Sequence, residues 1–180
     1  VKVTCTKSNE GFATAGGVQY VACAGNFKDA GLEYTGALKV LQMIFSYEYL
    51  WIQIRVKGGA YGCMCSFSDQ GDSMFVTYRD PNLSESYKVY DEAADYVADF
   101  DADDRDMKKY IIGTIGSMDM PMEAVDMGAR SFHAYFLGKT EADLQKVRDQ
   151  VLSCTQEDIR ALAPIVKAVV EAGNRCCIGN

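Results

Sequence analysis

Residues 60–78 read AYGCMCSFSDQGDSMFVTY, and this stretch decides the fold. Its two outer runs, 60–67 and 74–78, are rich in apolar and aromatic side chains and have the length of β-strands. The segment between them, 68–73, holds the glycine and small polar residues of a tight turn. The stretch therefore predicts a β-hairpin, and with it a pair of antiparallel strands.

The chain before the hairpin predicts a strand and a helix. Apolar residues recur at intervals of three and four from 35 to about 49, which is typical of a helix that faces a core. The helical pattern continues to 56, with or without a break, and ends at Gly58-Gly59. Residues 17–24, GVQYVACA, predict a strand, and their nearly continuous apolar character indicates burial on both faces.

The chain after the hairpin is mostly helical. Thr140 and Thr155 each precede an aspartate by three residues, a spacing that resembles a capping box at a helix start. Pro164 falls inside the last of these helices and is expected to bend it. Residues 175–180, RCCIGN, predict a terminal strand. The apolar positions that mark the helices lie within 83–97, 107–115, 123–136, 144–151 and 159–170.

This order of elements predicts the α+β class, with helices packed on one face of a mostly antiparallel sheet. A parallel α/β sheet would need helices that alternate strictly with strands. The chain has 180 residues, of which 48% are apolar, and this suits one compact unit with a sizeable core. Because no internal repeat or linker divides the chain, we expect residues 1–180 to form a single domain.

Charge and hydropathy exclude two classes of partner. Eighteen basic residues against twenty-five acidic ones give a net charge of −7, which would repel nucleic acid. The chain has no window of about eighteen consecutive apolar residues and no basic N-terminal stretch followed by an apolar core, so it predicts neither a membrane-spanning helix nor a signal peptide. Because the sequence starts at Val1 and ends in a predicted strand, we expect a fragment of a longer protein.

The cysteines predict packing rather than chemistry. Seven cysteines are an odd number in a chain long enough to fold without disulfides. Cys63-x-Cys65 and Cys176-Cys177 lack the two-residue gap of zinc knuckles. We therefore expect reduced cysteines that pack in the core, and a cytoplasmic location that keeps them reduced.

Two familiar kinds of site do not fit the sequence. His133 is the only histidine, whereas a His-x-x-Glu-His zinc site needs a second one, so we expect this chain to bind no metal. The acidic run 99–106 starts like a calcium loop, but Asp104 stands at the glycine position and Tyr110 at the glutamate position. We interpret it as a loop whose carboxylates cap a helix.

The glycine-rich loop 58–62, GGAYG, has neither the Lys-Ser/Thr of a phosphate-binding loop nor the glycine spacing of a dinucleotide fold. It joins a helix to a strand and reverses the chain, which brings Arg55 near Tyr61. A guanidinium and a phenol together can donate hydrogen bonds to a peptide backbone or to a developing oxyanion. A surface arginine beside a packing tyrosine is the alternative.

Five segments, taken in order, resemble the C-terminal region of the pitrilysin/insulinase superfamily of zinc peptidases, in its presequence-protease branch. The resemblance covers about residues 17–180. The segments are RVKGGAYG (55–62), YRDPN (78–82), YIIGTIG (110–116), SFHAYFLG (131–138) and LSCTQEDI (152–159).

The resemblance implies a zinc metalloendopeptidase several times this length, whose four related α+β domains form two bowl-like halves around an unfolded peptide. Zinc is then bound by the N-terminal peptidase domains of the same chain, which are the expected partner, and this fragment alone is expected to be inactive. The last domain, the non-zinc-binding one, contributes Arg55 to anchor the substrate backbone and Tyr61 to hydrogen-bond the scissile carbonyl. Gly58, Gly59 and Ala60 are the implied substrate-binding positions between them.

Two other functions stay open at this point. The chain could be a non-catalytic structural subunit of the processing-peptidase type, because relatives with this fold need not share an activity. It could also be a separate α+β domain that binds a small ligand between its sheet and its helices. A deep pocket away from Arg55 and Tyr61 would favour the small-ligand function, whereas close contact between the two side chains would favour the peptidase.

Overall fold

The computed structural model describes residues 9–180, and in this range five strands form one sheet in the order β1-β5-β2-β4-β3. Only β1 and β5 pair in parallel, and the other three pairings are antiparallel. The predicted α+β class with a mostly antiparallel sheet is confirmed. The strands are β1 Glu10–Ala13, β2 Tyr20–Asn26, β3 Gly62–Phe67, β4 Asp72–Tyr78 and β5 Asn174–Gly179.

The predicted hairpin is confirmed as β3 and β4, with Cys65 opposite Phe75. Its turn is closed by the Ser68 N–H, which donates to the Asp72 carbonyl at 2.8 Å. Gly71 adopts a φ of 97°, which side chains rarely allow, so glycine is required there. The predicted first strand is β2, and the predicted terminal strand is β5. The short edge strand β1, whose four residues are all exposed, was not predicted.

The prediction that the first strand is buried on both faces is wrong. Val21 and Cys23 of β2 are fully buried, whereas Tyr20 is 38% exposed and Ala22 is half-buried. Small residues at alternate positions give the strand an apolar sequence without burying its second face. Helices cover one side of the sheet, and we call the other side the open face. Its apolar side chains include Phe12, Tyr20, Ala22, Ala24, Met64, Met74, Val76, Tyr78, Cys176 and Ile178.

The first long helix runs from 37 to 57 but changes its winding. Residues Ala37–Ile44 (α1) are α-helical, and Phe45–Tyr49 and Trp51–Lys57 continue as π-helix. A π-helical stretch this long is unusual, and such turns occur often at functional sites. Here it leads directly into the loop 58–61.

The other helices lie between the hairpin and β5. They are α2 Ser84–Asp91, α3 Ala93–Ala98, α4 Asp104–Met118, α5 Ala124–Phe136, α6 Glu141–Leu152, α7 Gln156–Arg160 and α8 Ala163–Glu171. A short 3-10 helix, Phe27–Ala30, follows β2. No helix in the described part of the chain combines the length and the apolar character needed to cross a membrane.

Most of the predicted helix starts are confirmed. Thr140 and Thr155 begin α6 and α7 through complete capping boxes. Asp103 caps α4, because its side chain accepts from the Asp106 N–H at 2.8 Å, and the acidic run therefore caps a helix as interpreted. The predicted bend at Pro164 is instead a division into α7 and α8. Pro164 lies in the first turn of α8, where its missing N–H breaks no helical bond.

Six of the seven cysteines lie in the described residues, and none of these six forms a disulfide. Cys23, Cys65 and Cys154 are buried, and the other three are half-buried or partly exposed. The predicted packing role is therefore confirmed for the buried three. Cys5 lies outside the described residues, and the cytoplasmic location stays a prediction.

Gly25 of β2 lies so close to α8 that no side chain fits. An added Cβ would lie 2.6 Å from the Val169 carbonyl oxygen and 2.8 Å from the Ala172 Cβ. We expect Gly25→Ala to lower the free energy of unfolding by about 1–3 kcal/mol in urea denaturation. Gly116→Ala in α4 is the control, because its Cβ meets nothing within 4 Å. It should raise that free energy by about 0.5–1 kcal/mol, and equal effects at the two sites would contradict the packing argument.

Candidate functional site

The loop 58–61 brings Arg55 and Tyr61 together, as the sequence predicted. The Arg55 guanidinium carbon lies 5.5 Å from the centre of the Tyr61 ring and 5.7 Å from that of the Trp51 ring. Contacts of this kind between a guanidinium and aromatic faces are attractive. They hold the long arginine side chain in place beside the tyrosine.

Backbone hydrogen bonds at the end of the π-helix fix the loop. The Gly58 N–H donates to the Gln53 carbonyl at 3.0 Å, and the Ala60 N–H donates to the Ile54 carbonyl at 3.1 Å. Gly59 adopts a φ of 78°, which a glycine tolerates at no steric cost. The loop is therefore rigid enough to hold the two flanking side chains in one geometry.

Ala60 supports the position of Arg55. Its side chain is fully buried. Its carbonyl accepts a hydrogen bond from Arg55 Nη1 at 2.9 Å. The substrate-binding role of Gly58, Gly59 and Ala60 stays a prediction.

Two residues of the segment 78–82 brace the loop, and the sequence analysis missed them. Asn82 Nδ2 donates to the Gly58 carbonyl at 2.6 Å. Asp80 is fully buried, and its carboxylate accepts from the Asn82 N–H at 2.9 Å and from Ser86 Oγ at 2.6 Å. The only sequence signal is the run Asp80-Pro81-Asn82, which is typical of the start of a helix.

Tyr61 is at the edge of a row of aromatic rings beside the open face. Its ring centre lies 5.7 Å from that of Tyr78, and Tyr78 lies 5.5 Å from Tyr20, both edge to face. The Tyr61 N–H donates to the carbonyls of Tyr78 and Arg79 at 3.1 and 3.2 Å. Because Tyr61 is 65% exposed, its hydroxyl can reach a bound molecule.

The cysteines near the loop are not suited to nucleophilic or metal chemistry. Burial, followed by the charge of Asp80, raises the pKa of the Cys63 thiol to about 11, although Arg55 acts in the opposite direction. Burial also raises the pKa of Cys65. Both thiols therefore stay protonated at neutral pH, whereas attack on a carbonyl or binding of zinc needs the thiolate.

The described residues contain no group of three His, Cys, Asp or Glu side chains that could hold a metal ion. His133, the single histidine, lies exposed on α5. Residues 9–180 therefore present no ready donor set for a zinc ion.

A groove of about 1070 Å³ lies near the loop and includes neither Arg55 nor Tyr61. Its walls come from the helix 37–57, β3, α4 and α6, with Arg130 of α5 on the remaining side. The groove is wide because α5 has no buried residue and stands away from the core. Its volume is close to the upper end of the range of about 300–1,000 Å³ that small-molecule sites occupy, so the small-ligand function stays an alternative.

The chemistry available at the loop is hydrogen-bond donation. Arg55 is half-buried, and the Ala60 carbonyl engages one of its nitrogens. A guanidinium has five N–H donors, so others stay available for carbonyl or carboxylate oxygens. The Tyr61 hydroxyl adds a further donor beside it, so the pair can donate hydrogen bonds to the carbonyl oxygens of a peptide backbone.

Comparison with known proteins identifies relatives of this chain. A family model described as PreP C-terminal domain matches residues 9–179. Protein HypA of Clostridium perfringens is 42% identical over 174 residues, which are 97% of this chain and 18% of that protein. "Presequence protease 1, chloroplastic/mitochondrial" of Arabidopsis thaliana is 34% identical over 166 residues, which are 92% of this chain and 15% of that protein.

A solved structure described as the peptidase M16 inactive domain from Pseudomonas fluorescens has the same fold. Its TM-score is 0.67 at 15% sequence identity, over 96% of this chain and 43% of that one. The chain spans less than a fifth of the length of the two curated relatives. The family match covers nearly all the described residues, and the loop carries the predicted Arg55 and Tyr61 side by side. This chain belongs to the PreP C-terminal domain family.

Proposed function

We propose that this chain is the substrate-positioning domain of a zinc metalloendopeptidase that degrades unfolded peptides. The observation that carries the proposal is the 5.5 Å contact between Arg55 and the Tyr61 ring, on a braced loop beside the open face of the sheet. Two donors for carbonyl oxygens, held together and partly exposed, suit a peptide in extended conformation.

In the proposed reaction, Arg55 binds a carbonyl of the peptide backbone and fixes the position of the scissile bond. The Tyr61 hydroxyl donates to the scissile carbonyl oxygen, and this bond strengthens as the oxygen gains negative charge. Zinc bound by the N-terminal half supplies the Lewis acid of the hydrolysis. The isolated chain, whose described residues hold no ligand set for zinc, is then inactive.

The N-terminal peptidase domains of the same chain are the proposed partner, and α5 is the proposed contact surface. The helix has no buried residue, although its sequence carries an apolar stripe that would normally face a core. Phe132 and Phe136 are 66% and 68% exposed, and they lie one turn apart with their ring centres separated by 4.5 Å. Exposed apolar surface of this extent marks an interaction site.

Removing both rings tests this contact. We expect the double substitution Phe132→Ser, Phe136→Ser to weaken association with a separately produced N-terminal half by about 10- to 100-fold, because two buried aromatic anchors are lost. Isothermal titration calorimetry measures the affinity. Ile112→Ser on α4 is the control, since Ile112 is equally exposed at 71% on another helix. Unchanged affinity in the double variant would contradict the role of α5.

Peptide hydrolysis with added zinc tests the function itself. It is measured for this chain, for the N-terminal half and for their mixture. Activity in the mixture alone supports the proposal. If both halves are folded and associate, but the mixture hydrolyses no peptide, the chain is a structural subunit of the processing-peptidase type.

A further inference from the structure

Arg79 has an unusual backbone conformation at the end of β4. Its φ is 48°, and it is the only residue other than glycine with a positive φ in the described part of the chain. The other positive values, from 64° to 97°, all belong to glycines. A side chain in this left-handed region costs free energy that glycine would avoid, and such strain collects at functional sites.

The side chain of Arg79 does nothing for the fold that would explain its presence. It is exposed, and among the described residues it forms neither an ion pair nor a side-chain hydrogen bond. Its guanidinium carbon lies 5.7 Å from the centre of the Tyr78 ring. The neighbouring Asp80 carboxylate is buried and engaged by Asn82 and Ser86. The positive charge of Arg79 is thus held on an aromatic ring and directed to solvent.

Arg79 and Tyr61 share the same aromatic row. The Arg79 guanidinium carbon lies 5.7 Å from the centre of the Tyr78 ring, and that centre lies 5.7 Å from the centre of the Tyr61 ring. The two side chains therefore lie within about 11 Å of each other. Since an extended peptide advances about 3.3 Å per residue, about three residues of a bound peptide are enough to span this gap.

We propose that Arg79 is a second substrate-binding residue, which binds a carboxylate of the peptide about three residues from the carbonyl held by Tyr61. The inference rests on the proposed function. The carboxylate is either an Asp or Glu side chain or the C-terminus of the peptide. A guanidinium binds both kinds through paired N–H donors, and the aromatic face of Tyr78 orients it.

The variant Arg79→Gly removes the side chain but keeps the backbone conformation, so it tests the side chain alone. Glycine accepts a φ of 48° without strain and keeps the carbonyl that accepts from the Tyr61 N–H at 3.2 Å. A structural role for the side chain would make this variant less stable. A binding role predicts that the variant binds peptides more weakly while its melting temperature is unchanged or higher.

The test uses the full-length protein with its metal removed by a chelator, and fluorescence anisotropy of labelled peptides. One peptide has a glutamate at three residues from the cleavage site and an amidated C-terminus, the second has glutamine there, and the third has glutamine and a free C-terminal carboxylate at that distance. We expect Arg79→Gly to raise Kd about tenfold for the first or the third peptide and to leave the second unchanged. Whichever peptide responds identifies the source of the carboxylate.

Matched variants make each outcome decisive. Arg105→Ala removes an exposed arginine from α4 and should leave all three Kd values unchanged. Unchanged binding of both carboxylate peptides in Arg79→Gly, with weaker binding in Arg55→Ala, would overturn this inference and leave the proposed function standing. Unchanged binding in both arginine variants would overturn both. A fall in melting temperature for Arg79→Gly, or an equal loss for all three peptides, would assign Arg79 a structural role.

Discussion

Under the proposed function, we expect replacing Tyr61 with phenylalanine in the full-length protein to lower kcat for peptide hydrolysis by about 10²- to 10³-fold and to change KM little, because it removes one donor to the developing oxyanion. Phenylalanine keeps the ring, and with it the contacts to Arg55 and to Tyr78 at 5.5 and 5.7 Å. The backbone bonds of the residue are also unaffected. The change therefore isolates the hydroxyl group, and steady-state kinetics with an unstructured peptide measures its contribution.

Tyr20→Phe is the matched control for this experiment. Tyr20 is also on the open face, in ring contact with Tyr78 at 5.5 Å, and is 38% exposed. Its hydroxyl has no proposed role, so kcat should stay within about twofold of the parent value. If Tyr61→Phe turned over at the normal rate with only a higher KM, Tyr61 would anchor the substrate and the oxyanion role would be wrong.

Local sequence patterns were enough to predict most of the elements. The hairpin follows from two short strands around a turn that contains Gly71, and the starts of α6 and α7 follow from Thr140 and Thr155. In each case, the residues that determine the structure lie within a few positions of one another. The pairing of Arg55 with Tyr61 was predictable for the same reason, because only a short loop separates them.

The features that escaped prediction depend on distant parts of the chain. Strand β1 carries too few apolar residues to signal a strand, and it forms by pairing with β5 at the other end of the chain. The open face of β2 is hidden in the sequence because Ala22 and Ala24 are apolar whether or not they are covered. Asn82 donates a hydrogen bond to the Gly58 carbonyl, which is 24 positions away in the sequence, and no local pattern predicts such a bond. The extent of a single domain over 1–180 stays a prediction.

The site is assembled from two kinds of support. Buried groups, Asp80 above all, fix the backbone of the loop. Exposed aromatic rings then hold the cations: Arg55 lies near Trp51 and Tyr61, and Arg79 lies near Tyr78. A site that binds its substrate through hydrogen-bond donors needs this preorganisation. If the substrate had to order the donors, that ordering would cost much of the binding free energy.

We expect the second large effect from Arg55→Ala. This substitution should lower kcat/KM for peptides by about 10²-fold and raise Kd in proportion. The Arg55 guanidinium carbon lies 5.5 Å from the centre of the Tyr61 ring, and its remaining donors are the proposed anchor for the peptide backbone. Arg55→Lys keeps the charge but loses the planar fork, so it should recover only part of the affinity. Lys57→Ala is the control, because Lys57 donates only to Gln53 within its own helix at 3.2 Å.

Arg55→Ala could weaken peptide binding either by removing the anchor for the peptide or by loosening the loop, and the two causes have to be distinguished. The substitution also releases the Ala60 carbonyl, and a loosened loop would move Tyr61. Asn82→Ala releases the neighbouring Gly58 carbonyl and leaves Arg55 in place, so it loosens the loop without removing the anchor. If Arg55 binds the peptide directly, Arg55→Ala weakens affinity by about tenfold more than Asn82→Ala does. Equal losses in the two variants would assign Arg55 to the support of the loop, and peptide binding would then depend on Tyr61 and its aromatic neighbours.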